Sequence, residues 1–297
     1  MKAVYWFKTG LLFAVLTLIL VLIGSVVGAI FGDWRIGFVV MLAISVLMNV
    51  VSVVFSKKMA LRAHKVHLVT YDEEPRLYSI VQRLSEKAGL PMPQVGVSEL
   101  PMPNAFATGR SPRDAAVVAT RPLLNILDDD ELEGVMAHEL SHVKNRDILV
   151  MSVASMMASM IAFVTRLAVW SAIFSDDENG GISFALAILA DITLPFAAIL
   201  IQLGVSRSRE YLADESGARL TGRPMALASA LNKLETGCTF KQNTYDSPST
   251  AHVWISDPYG KKKRSFLKNL FTTHPSTADR IERLKKLDFE INGKTHY

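Results

Sequence analysis

Two uninterrupted apolar runs open the chain, from about Leu11 to Phe31 and from Ile36 to Phe55, and two more follow, from about Ile148 to Phe174 and from Ile182 to Val205. At 1.5 Å per residue each is long enough to cross a hydrocarbon core of roughly 30 Å. The pattern predicts four membrane-spanning helices, the last two forming a hairpin around the acidic segment Ser175-Asp176-Asp177-Glu178-Asn179-Gly180-Gly181. The first run lacks a small-x-small cleavage site and another run follows at once, so it reads as a retained span and not as a signal peptide. Between the runs the pattern changes. Leu77, Ile80, Val81 and Leu84 have helical spacing within Asp72 to Gly89, with Pro91 beyond, and predict a polar-faced helix. Gln94 to Val97 and Ala115 to Ala119 are β-prone runs bounded by Pro, Gly and Asp, and predict a small sheet. After the fourth run, Arg207 to Leu220, Pro224 to Leu234 and Thr277 to Leu287 read as helices, with loop from about 237 to 264 and no internal repeat.

Composition agrees with a membrane protein: half of the 297 residues are hydrophobic, and the mean hydropathy is +0.26. Cations set the orientation, because Lys and Arg are retained on the cytoplasmic side. Lys2 and Lys8 precede the first run, Lys57, Lys58, Arg62 and Lys65 follow the second, and Arg207 and Arg209 follow the fourth. Both termini and all large polar segments are therefore expected in the cytosol. The lone Cys238 excludes an intramolecular disulfide and reads as a packing residue. The net charge of +4 and the patch Lys261-Lys262-Lys263-Arg264 fit anionic lipid or solvation. No nucleic-acid module accompanies them, so the expected partners are the lipid bilayer and a substrate, not nucleic acid.

The chemistry concentrates in His138-Glu139-Leu140-Ser141-His142. Residues four apart lie one above the other on a helix face, so two imidazoles at this spacing can share one Zn²⁺ while the intervening carboxylate serves as general base for a water. A helix is expected here, since Asp128-Asp129-Asp130-Glu131 can cap its first turn and Leu132, Val135, Met136, Leu140 and Val143 form an apolar stripe.

Two histidines leave tetrahedral zinc short of a protein ligand. Glu210 is the leading third ligand, because the fourth run ends just before it and the third begins just after His142, so a hairpin returning to the same membrane face brings it back to the imidazoles. Asp147 and His274 are the rivals. Asp214, one turn beyond Glu210, can accept a proton from a ligand imidazole and fix its tautomer. Arg166 and Asp191 reach similar depths in the third and fourth runs and are expected to pair, fixing the hairpin register.

Together these segments resemble the HtpX-type membrane-integrated zinc metalloproteases, relatives of the CAAX-prenyl proteases within the gluzincin class. The resemblance rests on Asn104-Ala105-Phe106-Ala107-Thr108-Gly109, Ala137-His138-Glu139-Leu140-Ser141-His142, Arg209-Glu210-Tyr211-Leu212-Ala213-Asp214, and Phe271-Thr272-Thr273-His274-Pro275 with Arg280-Ile281. It implies a mainly α, multi-pass protein of four transmembrane helices with a cytosolic zincin-like α+β protease domain containing a small sheet. The expected division is 1–56 for the first two spans, 57–147 and 206–297 for the two protease parts, and 148–205 for the hairpin. It also implies one Zn²⁺ per chain, held by His138, His142 and Glu210, with Glu139 as general base. Asn104, Ala105, Phe106 and Ala107 match an edge strand where substrate adds, and His274 matches a histidine that steadies the oxyanion. The implied activity is endopeptidase cleavage of membrane or misfolded proteins in quality control at a bacterial inner membrane.

Overall fold

The computed structural model describes residues 32–153, 207–239 and 275–293, with part of 10–29. Helix α1 (Trp34–Ala63) begins at an Asp33 cap and presents apolar side chains all round, with Ile36, Val39, Leu47 and Val50 more than half exposed. A helix with no polar face, and with little of its apolar surface buried within its own protein, fits lipid as its solvent. Among the described residues it is the one helix long and apolar enough to cross a membrane. The described residues between Gly10 and Ala29 are helical and pack beside it. Asn49 Nδ2–H donates to Thr17 Oγ1 at 3.1 Å, and a Cβ on Gly37 would fall 1.9 Å from Gly24 O, so these helices cross at glycine. The expected third and fourth spans, with Arg166 and Asp191, lie outside the described residues, as do Lys261 to Arg264 and the side chain of Cys238.

Helix α1 runs past the apolar stretch, from Phe55 on to Ala63, and so carries this candidate membrane helix into the polar domain. Its cap, His64, is buried, and Nδ1–H donates to Ala60 O at 2.9 Å. Its ring lies 4.7 Å from that of Phe106. Burial lowers its pKa. Ser98 Oγ–H donates to His64 O and Lys57 Nζ sits 3.0 Å from Asp114 Oδ1, so the helix end is fastened to the sheet at several points.

The sheet holds β1 (Val66–Leu68), β2 (Gln94–Ser98), β3 (Ala105–Gly109) and β4 (Ala115–Thr120). Their order is β1-β2-β4-β3, with β2 and β4 parallel and both outer pairs antiparallel. Helix α2 (Pro75–Ala88) ends at Gly89, whose φ of 67° is a left-handed stop suited to glycine. It buries Leu77, Ile80, Val81 and Leu84 against Val95, Val97, Val117 and Ala119 of the sheet and against the stripe of α4 (Asp129–Lys144). Short α3 (Arg121–Ile126) leads into α4. The remaining helices, α5 (Arg207–Thr221), α6 (Pro224–Thr239) and α7 (Thr277–Asn292), complete the layer around α4.

Most expected elements appear where the pattern placed them. Strand β1 and helix α3 escaped it because three and six residues are too few to show a period. Residues 237–239, expected as loop, continue α6 instead. Nothing in Gly237-Cys238-Thr239 stops a helix strongly, and Gly alone costs only about 1 kcal/mol.

Candidate metal centre

Helix α4 forms because its N-terminus is locked on both sides. Asp128 Oδ1 accepts Glu131 N–H and Glu131 Oε2 accepts Asp128 N–H, both at 2.9 Å, a capping box of about 1 kcal/mol. Glu131 is held further by Lys233 at 2.6 Å and Ser229 at 2.7 Å from α6. With the start fixed, His138, Glu139 and His142 fall on the inner side of α4, and all three are buried.

Helix α5 then brings Glu210 to them. Gly217 permits the approach, since a Cβ there would stand 2.8 Å from His138 N and 3.0 Å from Ala137 C. His138 Nε2 and His142 Nε2 are 3.3 Å apart. Glu210 places Oε2 3.7 Å from His138 Nε2 and Oε1 3.5 Å from His142 Nε2. Donors about 2.05 Å from a tetrahedral ion stand roughly 3.4 Å from one another, so this triangle has the dimensions of three corners around zinc. Two imidazole nitrogens facing each other so closely also need a cation or a proton between them, because neutral lone pairs repel. The donor set of two histidines and one carboxylate fits zinc, with no fourth protein ligand among the described residues, and Glu139, next to His138 in the chain, is buried.

The electrostatics point the same way. Burial alone would lower the pKa of His142, but Asp147, Glu210 and Glu139 outweigh it and hold the ring protonated up to about 9. Three carboxylates around one imidazole make this pocket favourable to a cation.

Each imidazole has a carboxylate behind it. His138 Nδ1 lies 2.9 Å from Asp214 Oδ1. Arg280 of α7 grips Asp214 with both Nε and Nη2, at 2.8 and 2.7 Å, and both residues are buried. Burial would raise the pKa of Asp214, yet the Arg280 guanidinium and His138 keep it below the ordinary carboxylate value. His142 Nδ1 lies 3.4 Å from Asp147 Oδ2, and Arg209 Nη1 lies 3.3 Å from Asp147 Oδ1. Asp147 does not join the triangle as a rival ligand, because it meets the outer nitrogen of the ring.

Asn104, Ala105 and Phe106 are buried and Ala107 half-buried, and strand β3 packs beside α4 as an outer strand of the sheet. His274 lies outside the described residues. Arg280 carries no role in the sequence reading. Its signal is a cation on the buried stripe that continues through Leu284, Leu287 and Asp288. The bracing position of Asp147 had no comparable signal.

Residues 72–288, which include every member of this centre, match the family described as Peptidase family M48. The chain belongs to family M48. It is accordingly a metallopeptidase, a hydrolase of peptide bonds, in a family that depends on zinc. Relatives named protease HtpX homolog share most of its length. That of Pyrococcus abyssi is 44% identical over 288 residues, covering 96% of this chain and 97% of its own. That of Pyrococcus furiosus is 45% identical over 289 residues, with 96% and 97% covered. That of Campylobacter curvus is 42% identical over 289 residues, with 97% and 99% covered. A solved structure of Ste24p from S. mikatae aligns over 95% of this chain and 66% of that one, at 18% identity and a TM-score of 0.48. Among the described residues, the triangle on α4 and α5 is a group able to hold a metal ion.

Proposed function

We propose that this M48 peptidase is a membrane-embedded zinc endopeptidase that cuts membrane or misfolded proteins at the cytosolic face, as in protein quality control. The observation that carries the reading is the triangle of His138, His142 and Glu210 with buried Glu139 next to it. His138, His142 and Glu210 would hold the ion. When bound, zinc supplies Lewis acidity to water and to the peptide carbonyl.

The remaining work falls to the chain's own groups. Glu139 takes a proton from the attacking water and later delivers it to the leaving amine. Asp214 and Asp147 keep the outer imidazole nitrogens protonated, so that the inner nitrogens face the ion. Substrate aligns along β3 by strand addition. Asn104 O accepts Thr120 N–H at 2.8 Å, which sets the phase of the β3–β4 ladder. In that phase Ala105, Ala107 and Gly109 turn their N–H and C=O groups toward the outer edge. Gly109 N–H already meets Ser152 Oγ at 3.4 Å and Ala105 is buried, so half-buried Ala107 is the position offered to an extended peptide. His274, outside the described residues, keeps the oxyanion-steadying role within this proposal. The proposal also keeps the four spans, with the third and fourth as a hairpin that returns Glu210 to the cytosolic face.

Glu139→Gln tests the assignment. Zinc content should stay at the wild-type level while cleavage of an unfolded protein substrate falls by about 10²–10⁴-fold. A variant that cuts at the wild-type rate contradicts it.

A further inference from the structure

We propose that Asp147 and Arg209 form a clasp that positions His142 and makes its placement depend on the two ends of the chain segment between them. The inference rests on His138, His142 and Glu210 being the metal holders, and it adds two positioning residues to that site.

Helix α4 ends at Lys144 and Asn145 caps it. Arg146 then takes φ 61°, the left-handed region that a residue other than glycine rarely adopts. This turn folds the chain back, so Asp147, the next residue and already helical, returns to the ring of His142 five positions earlier. The Asp147 carboxylate is buried and spans two partners, one oxygen toward His142 Nδ1 at 3.4 Å and the other toward Arg209 Nη1 at 3.3 Å. With Nε2 given to the ion in the proposed centre, Nδ1 carries the proton, and an acceptor there sets both tautomer and ring angle.

Arg209 immediately precedes Glu210 at the start of α5. The pair therefore joins the point where the chain leaves α4 to the point where it comes back, 62 residues later. The same outgoing segment reaches the substrate strand: Ser152 Oγ lies 3.0 Å from Thr108 Oγ1 and accepts Gly109 N–H. A shift of this segment would thus move the brace of one metal ligand and the outer edge of β3 together.

The test is equilibrium zinc affinity of the full-length protein in detergent, by competition with a chromophoric chelator, with Co²⁺ absorption as a readout of ligand geometry. Asp147→Asn and Arg209→Gln should each weaken zinc binding by about 10–100-fold, with Arg209→Lys in between, and should alter the Co²⁺ spectrum. Metal-free thermal unfolding should stay close to wild type. If Asp147→Asn does not fold, the Arg209 series decides: graded loss supports the clasp and equal affinity overturns it. Wild-type affinity and an unaltered Co²⁺ spectrum in Asp147→Asn overturn this inference alone. A wild-type chain that takes up no zinc overturns the metal reading and the clasp with it.

Discussion

The two imidazoles are braced by the same device built to two different standards. Behind His138, Arg280 grips Asp214 through two bonds of 2.7 and 2.8 Å, and both residues are buried between packed helices α5 and α7. Behind His142, Arg209 meets Asp147 through a single contact of 3.3 Å, with the arginine half-buried. A bidentate guanidinium–carboxylate pair is geometrically specific, whereas a single long contact tolerates movement. The difference teaches that one imidazole is referenced to the rigid core and the other to the ends of the segment that leaves and rejoins it. In the proposed centre the first brace would hold fold and metal together, and the second would chiefly tune the metal.

Removing the tight brace should have the largest effect. Arg280→Met leaves the Asp214 carboxylate buried without its partner, which costs about 3–5 kcal/mol, so denaturant unfolding should shift strongly and zinc binding should fall with it. A near-native midpoint would erase the contrast. Gly217→Ala sharpens the comparison from the other side by forcing α5 away from α4. Its Cβ would meet backbone atoms of His138 and Ala137, an overpacking of about 1–3 kcal/mol, and zinc affinity should drop because Glu210 and Asp214 move as one helix. Arg209→Met should cost less than Arg280→Met, because it removes one contact of 3.3 Å where the other removes two short ones, although it too leaves a buried carboxylate, Asp147. A loss as large as that of Arg280→Met would mean that the two braces are equivalent.

The smallest effect belongs to the junction between α1 and the sheet. Burial would raise the pKa of Asp114, but Arg110 and Lys57 hold it below the ordinary carboxylate value. A carboxyl depressed in the folded state stabilises above its unfolded pKa of about 3.9, and that contribution is lost as pH falls through the folded value. Wild type should therefore be slightly more stable than Asp114→Asn near neutrality, and the gap should close in acid. A gap that widens on acidification would contradict this pairing.

Much of the centre was legible because its signals are local or topological. The capping acids and the spacing of His138 and His142 lie within sixteen residues of one helix. Glu210 followed from the idea that the chain returns to the membrane face it left. Arg280 was not legible as a partner, since it meets Asp214 across 66 residues and only its place on an apolar stripe marks it. Asp147 was weighed as a ligand because sequence does not say which nitrogen of His142 it faces, and the left-handed turn at Arg146 decides that. Strand β3 has small residues and weak alternation, so the resemblance, not its own pattern, marked it as an edge.

The most direct test of the central claim is zinc stoichiometry and affinity in wild type against Glu210→Gln. The account predicts one zinc per chain in wild type, and at least about a hundredfold weaker binding in the variant, because two imidazoles alone leave the protein coordination incomplete. Tight, stoichiometric zinc in Glu210→Gln would show that the third ligand lies elsewhere and would contradict the account.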